Sequence, residues 1–283
     1  MKLKTRIFWR VLPIMSNIWT LKAKARRHKK MPEYYRKHEK NHFLQKHLSN
    51  ILKHLNIEVK VEGFDNVPNS SCFLTPNHST YVDPLIIMSA LYNHGDGSKV
   101  SKVANFVAKE EAKSNKTAAL ISTLCDVHYI DTSKPRDAWA VMSEFGKFVK
   151  SNKSCGVVFP EGTRTKDGKL GAFNSGVFRV AQAVFLPIVP VTILNAANAL
   201  DKNRKGKLTV TVIFHPALKP IEFQTLDSKV LAEHVKGIVS SKYEDQEITS
   251  DETKKNKYTK AKKVKDKKDK KDDLDIFKED ITK

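Results

Sequence analysis

Ser71-Cys-Phe-Leu-Thr-Pro-Asn-His-Ser-Thr-Tyr-Val-Asp83, with Pro84 after it, carries three structural signals in one line. Ser71 to Thr75 is a short run of apolar and β-tolerant residues, which reads as a buried strand. Pro76 to Val82 is a polar connection. Asp83-Pro84 reads as a helix start, with an acceptor side chain at the N-cap and proline at the first helical position. Pro84 to Tyr92 then continues as a helix. Strand, loop and helix in succession make the repeating unit of an α/β sheet, whose ligands gather beyond the carboxyl ends of the strands.

The unit recurs downstream. Strands are expected at 105–108, 127–130, 155–159, 188–193 and 208–214. Helices are expected at 114–124, 136–150, 176–184 and 226–242. Upstream, Ile57-Glu-Val-Lys-Val alternates with period two, as a strand does, and 63–69 is turn-like. The expected fold class is α/β: a mixed, mostly parallel sheet covered by helices on both faces. It fills one domain over 57–243, well within what 283 residues can pack.

Residues 1–56 differ in character and are expected to form an amphipathic helical pair. Ile7, Phe8, Val11, Leu12, Met15, Ile18 and Trp19 recur at spacings of three and four, and Phe43, Leu44, Leu48, Ile51, Leu52 and Leu55 do so in a second segment. Lys22, Lys24, Arg26, Arg27, Lys29 and Lys30 crowd the end of the first. Residues 1–62 hold 16 Lys/Arg against 4 Asp/Glu, out of a chain net charge of +20. An apolar stripe beside a basic cluster suits an interfacial helix on an anionic membrane surface. Ile7 to Leu21 is interrupted by Arg10, Pro13, Ser16 and Asn17 and is too short to span a bilayer. Ala23-Lys-Ala25 imitates a signal-peptide cleavage site, but the surrounding cations oppose export. The expected location is the cell membrane, peripheral or monotopic, on its cytoplasmic face. The +20 charge also permits nucleic acid as a partner, but the chain has no zinc-ligand spacing, RNP motif or helix-turn-helix signature, so none is expected.

Residues 244–283 are almost all Lys, Asp, Glu and Thr, too polar to fold alone, and read as a charged tail, helical or disordered. Cys72, Cys125 and Cys155 have no CxxC or metal-ligand spacing and read as reduced buried thiols. No metal site is expected.

Two segments carry chemistry. In Asn77-His78-Ser-Thr-Tyr-Val-Asp83, one loop can bring the Asp carboxylate to the imidazole. The carboxylate accepts from Nδ1–H and leaves Nε2 as a base, which an alcohol nucleophile requires. In a chain with 10 histidines this spacing alone is commonplace. The second segment, Phe159-Pro-Glu-Gly-Thr-Arg164, follows another buried strand. Gly162 permits tight backbone geometry, and the Arg164 guanidinium is a planar fork suited to phosphate. Both segments fall at carboxyl ends of strands and can converge although about 80 residues separate them.

The pair resembles the glycerolipid acyltransferase family, the bacterial 1-acylglycerol-3-phosphate acyltransferases in particular, which carry Asn-His-x4-Asp and, about 80 residues on, Phe-Pro-Glu-Gly-Thr-Arg. Leu186-Pro-Ile-Val-Pro-Val191, Phe106-Val-Ala-Lys109 and Tyr129-Ile-Asp131 are also similar to family blocks. The resemblance covers about 57–220. It implies transfer of a fatty acyl group from a thioester of acyl-carrier protein or coenzyme A, with no other cofactor, to the sn-2 hydroxyl of a lysophospholipid. His78 and Asp83 would be catalytic. Glu161, Gly162, Thr163, Arg164, Lys109 and Arg136 would bind substrate. Where the family usually has Arg after Ile-Asp, this chain has Thr132, and Lys134 or Arg136 is expected to supply the missing cation.

Overall fold

Strands β1 (Ile57–Glu62), β2 (Cys72–Pro76), β3 (Ala104–Lys109), β4 (His128–Ile130), β5 (Cys155–Val157), β6 (Ile188–Leu194) and β7 (Leu208–Phe214) form one sheet in the order β1-β7-β6-β2-β5-β3-β4. The structure, a computed structural model, describes residues 1–92 and 100–250. Every neighbouring pair is parallel except β6–β7. The mixed, mostly parallel sheet is therefore the one the sequence implies.

The helices are α1 (Leu3–Lys30), α2 (Lys37–His54), α3 (Asp83–Ala90), α4 (Lys116–Ser122), α5 (Pro135–Asn152), α6 (Ser175–Val184), α7 (Pro220–Phe223) and α8 (Ser228–Ser240). They cover both faces, and β2 shows why. Its residues are all buried, and because side chains alternate across a strand they divide between two cores. Cys72 and Leu74 join Leu21 of α1, Leu44 and Leu52 of α2 and Ile86 of α3. Phe73 joins Phe145 of α5, Phe178 of α6 and Leu231 of α8. The N-terminal pair thus shares the larger core with the sheet. All three cysteines are buried thiols.

The structure departs from the sequence reading in four places. The apolar residues of α1 do not form one stripe: Ile7, Ile14 and Ile18 pack inward, while Phe8, Trp9, Val11, Leu12 and Trp19 are exposed. The segment read as a helix over 114–124 is a 3-10 turn, Glu110–Ser114, then α4, then a second 3-10 turn, Thr123–Cys125. Asn115 breaks it by capping α4, accepting from Ala118 N–H at 3.1 Å. Helix α3 starts at Asp83 with Val82 at the N-cap, and the Asp83 side chain reaches backward instead of capping. Residues 244–250 also lie against the protein: Gln246 N–H donates to Gly168 O (3.2 Å), Asn198 Nδ2 to Glu247 O (2.7 Å), and Ile248 and Ser250 are buried. The rest of the charged tail, 251–283, lies outside the described residues.

Candidate active site

Strands β2 and β5 are parallel neighbours, Cys72 beside Cys155 and Leu74 beside Val157. Their carboxyl ends therefore emerge side by side, and the loops after them carry the two motifs. His78 Nδ1–H donates to Asp83 Oδ2 at 2.8 Å, which leaves Nε2 with its lone pair. The same oxygen accepts from Ser79 N–H (2.6 Å) and Thr80 N–H (2.8 Å). The Asp83 side chain is fully buried, and that of His78 keeps 19% of its surface exposed. An imidazole anchored at one nitrogen and reachable at the other is the geometry of a general base. Phe159 supports the ring from its face, with centroids 4.2 Å apart and planes inclined by 27°.

The second loop is fastened to the first through the backbone of His78. Glu161 Oε1 accepts from His78 N–H (2.6 Å), its Oε2 accepts from Gly171 N–H (2.9 Å), and Thr165 N–H donates to His78 O (2.9 Å). Burial pushes the Glu161 carboxyl up to about 7. Both oxygens of Glu161 are engaged by the protein itself, so the side chain ties loop to loop instead of facing a ligand. Gly162 has φ +66° and its N–H donates to Phe159 O at 3.1 Å, closing a tight turn that glycine tolerates best. Asn174 holds the same turn, its backbone N–H and Nδ2 both donating to Pro160 O, at 2.8 and 3.0 Å. The Arg164 guanidinium sits over the Tyr81 ring of the first loop, its Cζ 3.6 Å from the ring centroid. The imidazole and the guanidinium thus belong to one assembly.

Other expected residues fall at varying removes. Asn77 is a clamp that steadies the first loop: it is buried, donates to Ile193 O (3.1 Å) and accepts from Ile193 N–H (2.7 Å). Lys109 ends β3, the strand beside β5, so it stands at the same sheet edge as the motif loops. Arg136 is exposed in the first turn of α5 and, among the described residues, makes no hydrogen bond or ion pair with either motif. Thr163 is exposed beside Arg164. Among the described residues no group of three or more His, Cys, Asp or Glu side chains is arranged to hold a metal ion.

Tyr243 gives no signal in the sequence. Its hydroxyl donates to Gly168 O at 2.7 Å, and burial, with the Glu161 charge nearby, pushes the phenol up to about 12. With Gln246 on the same carbonyl, the chain after α8 straps down the loop that carries the second motif. Phe159 and Tyr81 were within reach of the sequence reading, since each lies inside a motif.

Residues 58–194 match the family model described as Acyltransferase. A probable 1-acyl-sn-glycerol-3-phosphate acyltransferase of Mycoplasma pneumoniae is 30% identical over 196 residues, 66% of this chain and 71% of that protein. The chain belongs to the 1-acylglycerol-3-phosphate acyltransferase family. This acyltransferase is also 28% identical over 194 residues to the corresponding probable enzyme of Mycoplasma genitalium, across 65% of this chain and 70% of that one. In fold it matches the crystal structure of the 1-acyl-sn-glycerophosphate acyltransferase PlsC from Thermotoga maritima. The TM-score is 0.65, at 20% identity, over 84% of this chain and 92% of that one.

Proposed function

We propose that this acyltransferase moves a fatty acyl group from a thioester of acyl-carrier protein or coenzyme A to the sn-2 hydroxyl of 1-acylglycerol-3-phosphate, giving phosphatidic acid for phospholipid synthesis. The observation that carries the mechanism is the buried Asp83 on His78 Nδ1, inside a loop fastened to the Glu161–Arg164 turn.

In this reading His78 Nε2 removes the proton from the acceptor hydroxyl as its oxygen attacks the thioester carbonyl. Asp83 fixes the ring and stabilises the imidazolium. The proton then goes to the departing thiolate as the carbon–sulfur bond breaks. The acyl group passes directly between substrates. That step fits a chain with no Gly-x-Ser-x-Gly elbow and with buried cysteines, Cys125 being pushed up to about 12 by its burial. Arg164, with Lys109 at the neighbouring strand end, takes the acceptor phosphate, and Gly162 and Thr163 give the turn its shape. Arg136, just after β4 at the next strand end, is the further cation available to the acceptor. No metal or other cofactor enters the scheme.

The acceptor is an anionic lipid, and residues 1–56 would bring the enzyme to it. Phe8, Trp9, Leu12 and Trp19 point away from the protein along α1, ahead of the basic run at its end. No helix among the described residues is long and apolar enough to cross a membrane. In this reading the protein binds peripherally on the cytoplasmic face of the membrane, with 57–243 as the catalytic unit. Product analysis by mass spectrometry tests the reaction. Purified protein given lysophosphatidic acid, glycerol-3-phosphate and mixed acyl donors is expected to form phosphatidic acid. Acylation of glycerol-3-phosphate alone would contradict the acceptor assignment.

A further inference from the structure

The turn after Arg164 carries a layer of contacts that neither motif includes. Thr165 is buried, and its backbone N–H donates to His78 O at 2.9 Å. Its side chain is tied as well: Oγ1 accepts from Gly168 N–H at 3.0 Å and donates to Asp167 Oδ1 at 3.0 Å. The same Asp167 oxygen accepts from Lys169 N–H at 3.1 Å. The Thr165 hydroxyl therefore closes residues 165–169 into one bonded turn.

Gly168 is held from its other side. Its carbonyl accepts from the Tyr243 hydroxyl (2.7 Å) and from Gln246 N–H (3.2 Å). The segment that bears those donors is anchored in turn on the connection between β6 and β7. Asn198 Nδ2 donates to Glu247 O (2.7 Å), and Asn198 Oδ1 accepts from Thr249 N–H (2.8 Å) and Ser250 N–H (3.1 Å). Thr249 Oγ1 donates to Asp201 Oδ2 (2.7 Å). Neither Asn198 nor Asp201 belongs to a motif loop, so the segment supplies a fixed point against which the Thr165 turn is set.

The histidine needs such a fixed point. Asp83 orients the ring at Nδ1, but where the ring stands in the site depends on the backbone of residue 78. The second motif loop grips that backbone on both sides. Glu161 takes its N–H, with the other carboxylate oxygen on Gly171 N–H, and Thr165 N–H takes its carbonyl. A base displaced by a fraction of an ångström from the acceptor hydroxyl loses rate steeply. We propose that Thr165 is a positioning residue for the His78 base: its hydroxyl locks the turn whose amide fixes the His78 carbonyl. Thr165 acts through the histidine and not on the substrate. This inference rests on the acyl-transfer reading and adds a residue to its machinery.

The test compares full-length wild type with Thr165→Val, which keeps the amide and the shape but not the hydroxyl, and with Thr165→Ser, which restores the hydroxyl. Steady-state kinetics with lysophosphatidic acid and an acyl thioester are measured beside urea unfolding midpoints. Thr165→Val is expected to lower kcat roughly tenfold and to leave acceptor KM within about twofold of wild type, because Arg164 keeps its place over Tyr81. Thr165→Ser is expected to recover most of the rate. Tyr243→Phe, which leaves Gln246 on the Gly168 carbonyl, is expected to lose about threefold in kcat. A folded Thr165→Val protein that loses stability but keeps the wild-type kcat overturns the proposal. So does a change confined to acceptor KM, or a serine variant as slow as the valine one. Should Thr165→Val fail to fold, the serine and Tyr243→Phe variants decide, and a wild-type kcat in the latter overturns the role. Wild-type protein that forms no phosphatidic acid sinks the reaction and this role together, whereas an active wild type with an unimpaired valine variant sinks the role alone.

Discussion

Asp83 Oδ2 accepts three hydrogen bonds, from a ring nitrogen and two backbone amides, inside a fully buried site. A carboxamide at that position can reproduce the shape but not the acceptor capacity. Asp83→Asn is therefore expected to lower kcat by roughly 10²–10⁴-fold while the protein stays folded. Near-wild-type kcat would remove Asp83 from the mechanism. Glu161 makes a different prediction, because burial raises its carboxyl from an ordinary value of 4.5 to about 7. A carboxyl raised by folding favours the native state when protonated. Its contribution is present below pH 4.5 and lost as pH rises through 7. The stability of the wild type relative to Glu161→Gln should fall by about 3 kcal/mol between pH 4 and pH 8, read from denaturant midpoints. A flat difference would mean that Glu161 titrates as it does in water. Motif spacing singled out His78, Asp83 and Arg164, and the structure holds them on two joined loops. The sequence did not show what Glu161 and Asn77 hold, because their partners, Gly171 and Ile193, come from parts of the chain that motif spacing does not connect to them.

At the level of elements, hydrophobic period located the seven strands and the long helices, because each buries apolar side chains at a regular spacing. It failed where a single polar side chain sets a boundary. Asn115 divides the 110–125 region, and Asp227 delays α8 to Ser228 by accepting from Lys229 N–H at 2.8 Å. The segment 244–250 was illegible for another reason: a strap bound mainly through backbone groups has no side-chain period. Gly168 records it. At φ +81° an added Cβ would fall 1.7 Å from Gln246 O. Gly168→Ala is expected to destabilise the protein by on the order of 2 kcal/mol and to raise acceptor KM more than it lowers kcat, because the strapped loop carries Arg164. Urea unfolding with acceptor titration measures both effects, and an unchanged KM would uncouple the strap from the site.

For the molecule as a whole, the inward half of α1 completes the larger core, and the outward half exposes Phe8, Trp9, Leu12 and Trp19. A helix apolar on both sides needs a second apolar environment, and the basic run from Lys22 to Lys30 favours an anionic one. Trp9→Ser with Leu12→Ser is expected to weaken partition onto phosphatidylglycerol vesicles by at least tenfold. Raised salt should weaken what remains, with soluble-substrate turnover retained. Vesicle binding equal to wild type would place the membrane contact elsewhere. The sequence showed the amphipathic helix but not that its apolar residues serve two faces, since period alone does not say which side meets the sheet.

The proposed catalysis depends on a base at position 78 working in the same centre as the turn that ends at Arg164. Single-turnover acyl transfer by folded His78→Ala protein, with lysophosphatidic acid and a radiolabelled acyl thioester, tests that most directly. The expected result is a rate reduced by roughly 10³-fold or more with acceptor binding preserved. A variant that transfers the acyl group at close to the wild-type rate would contradict it.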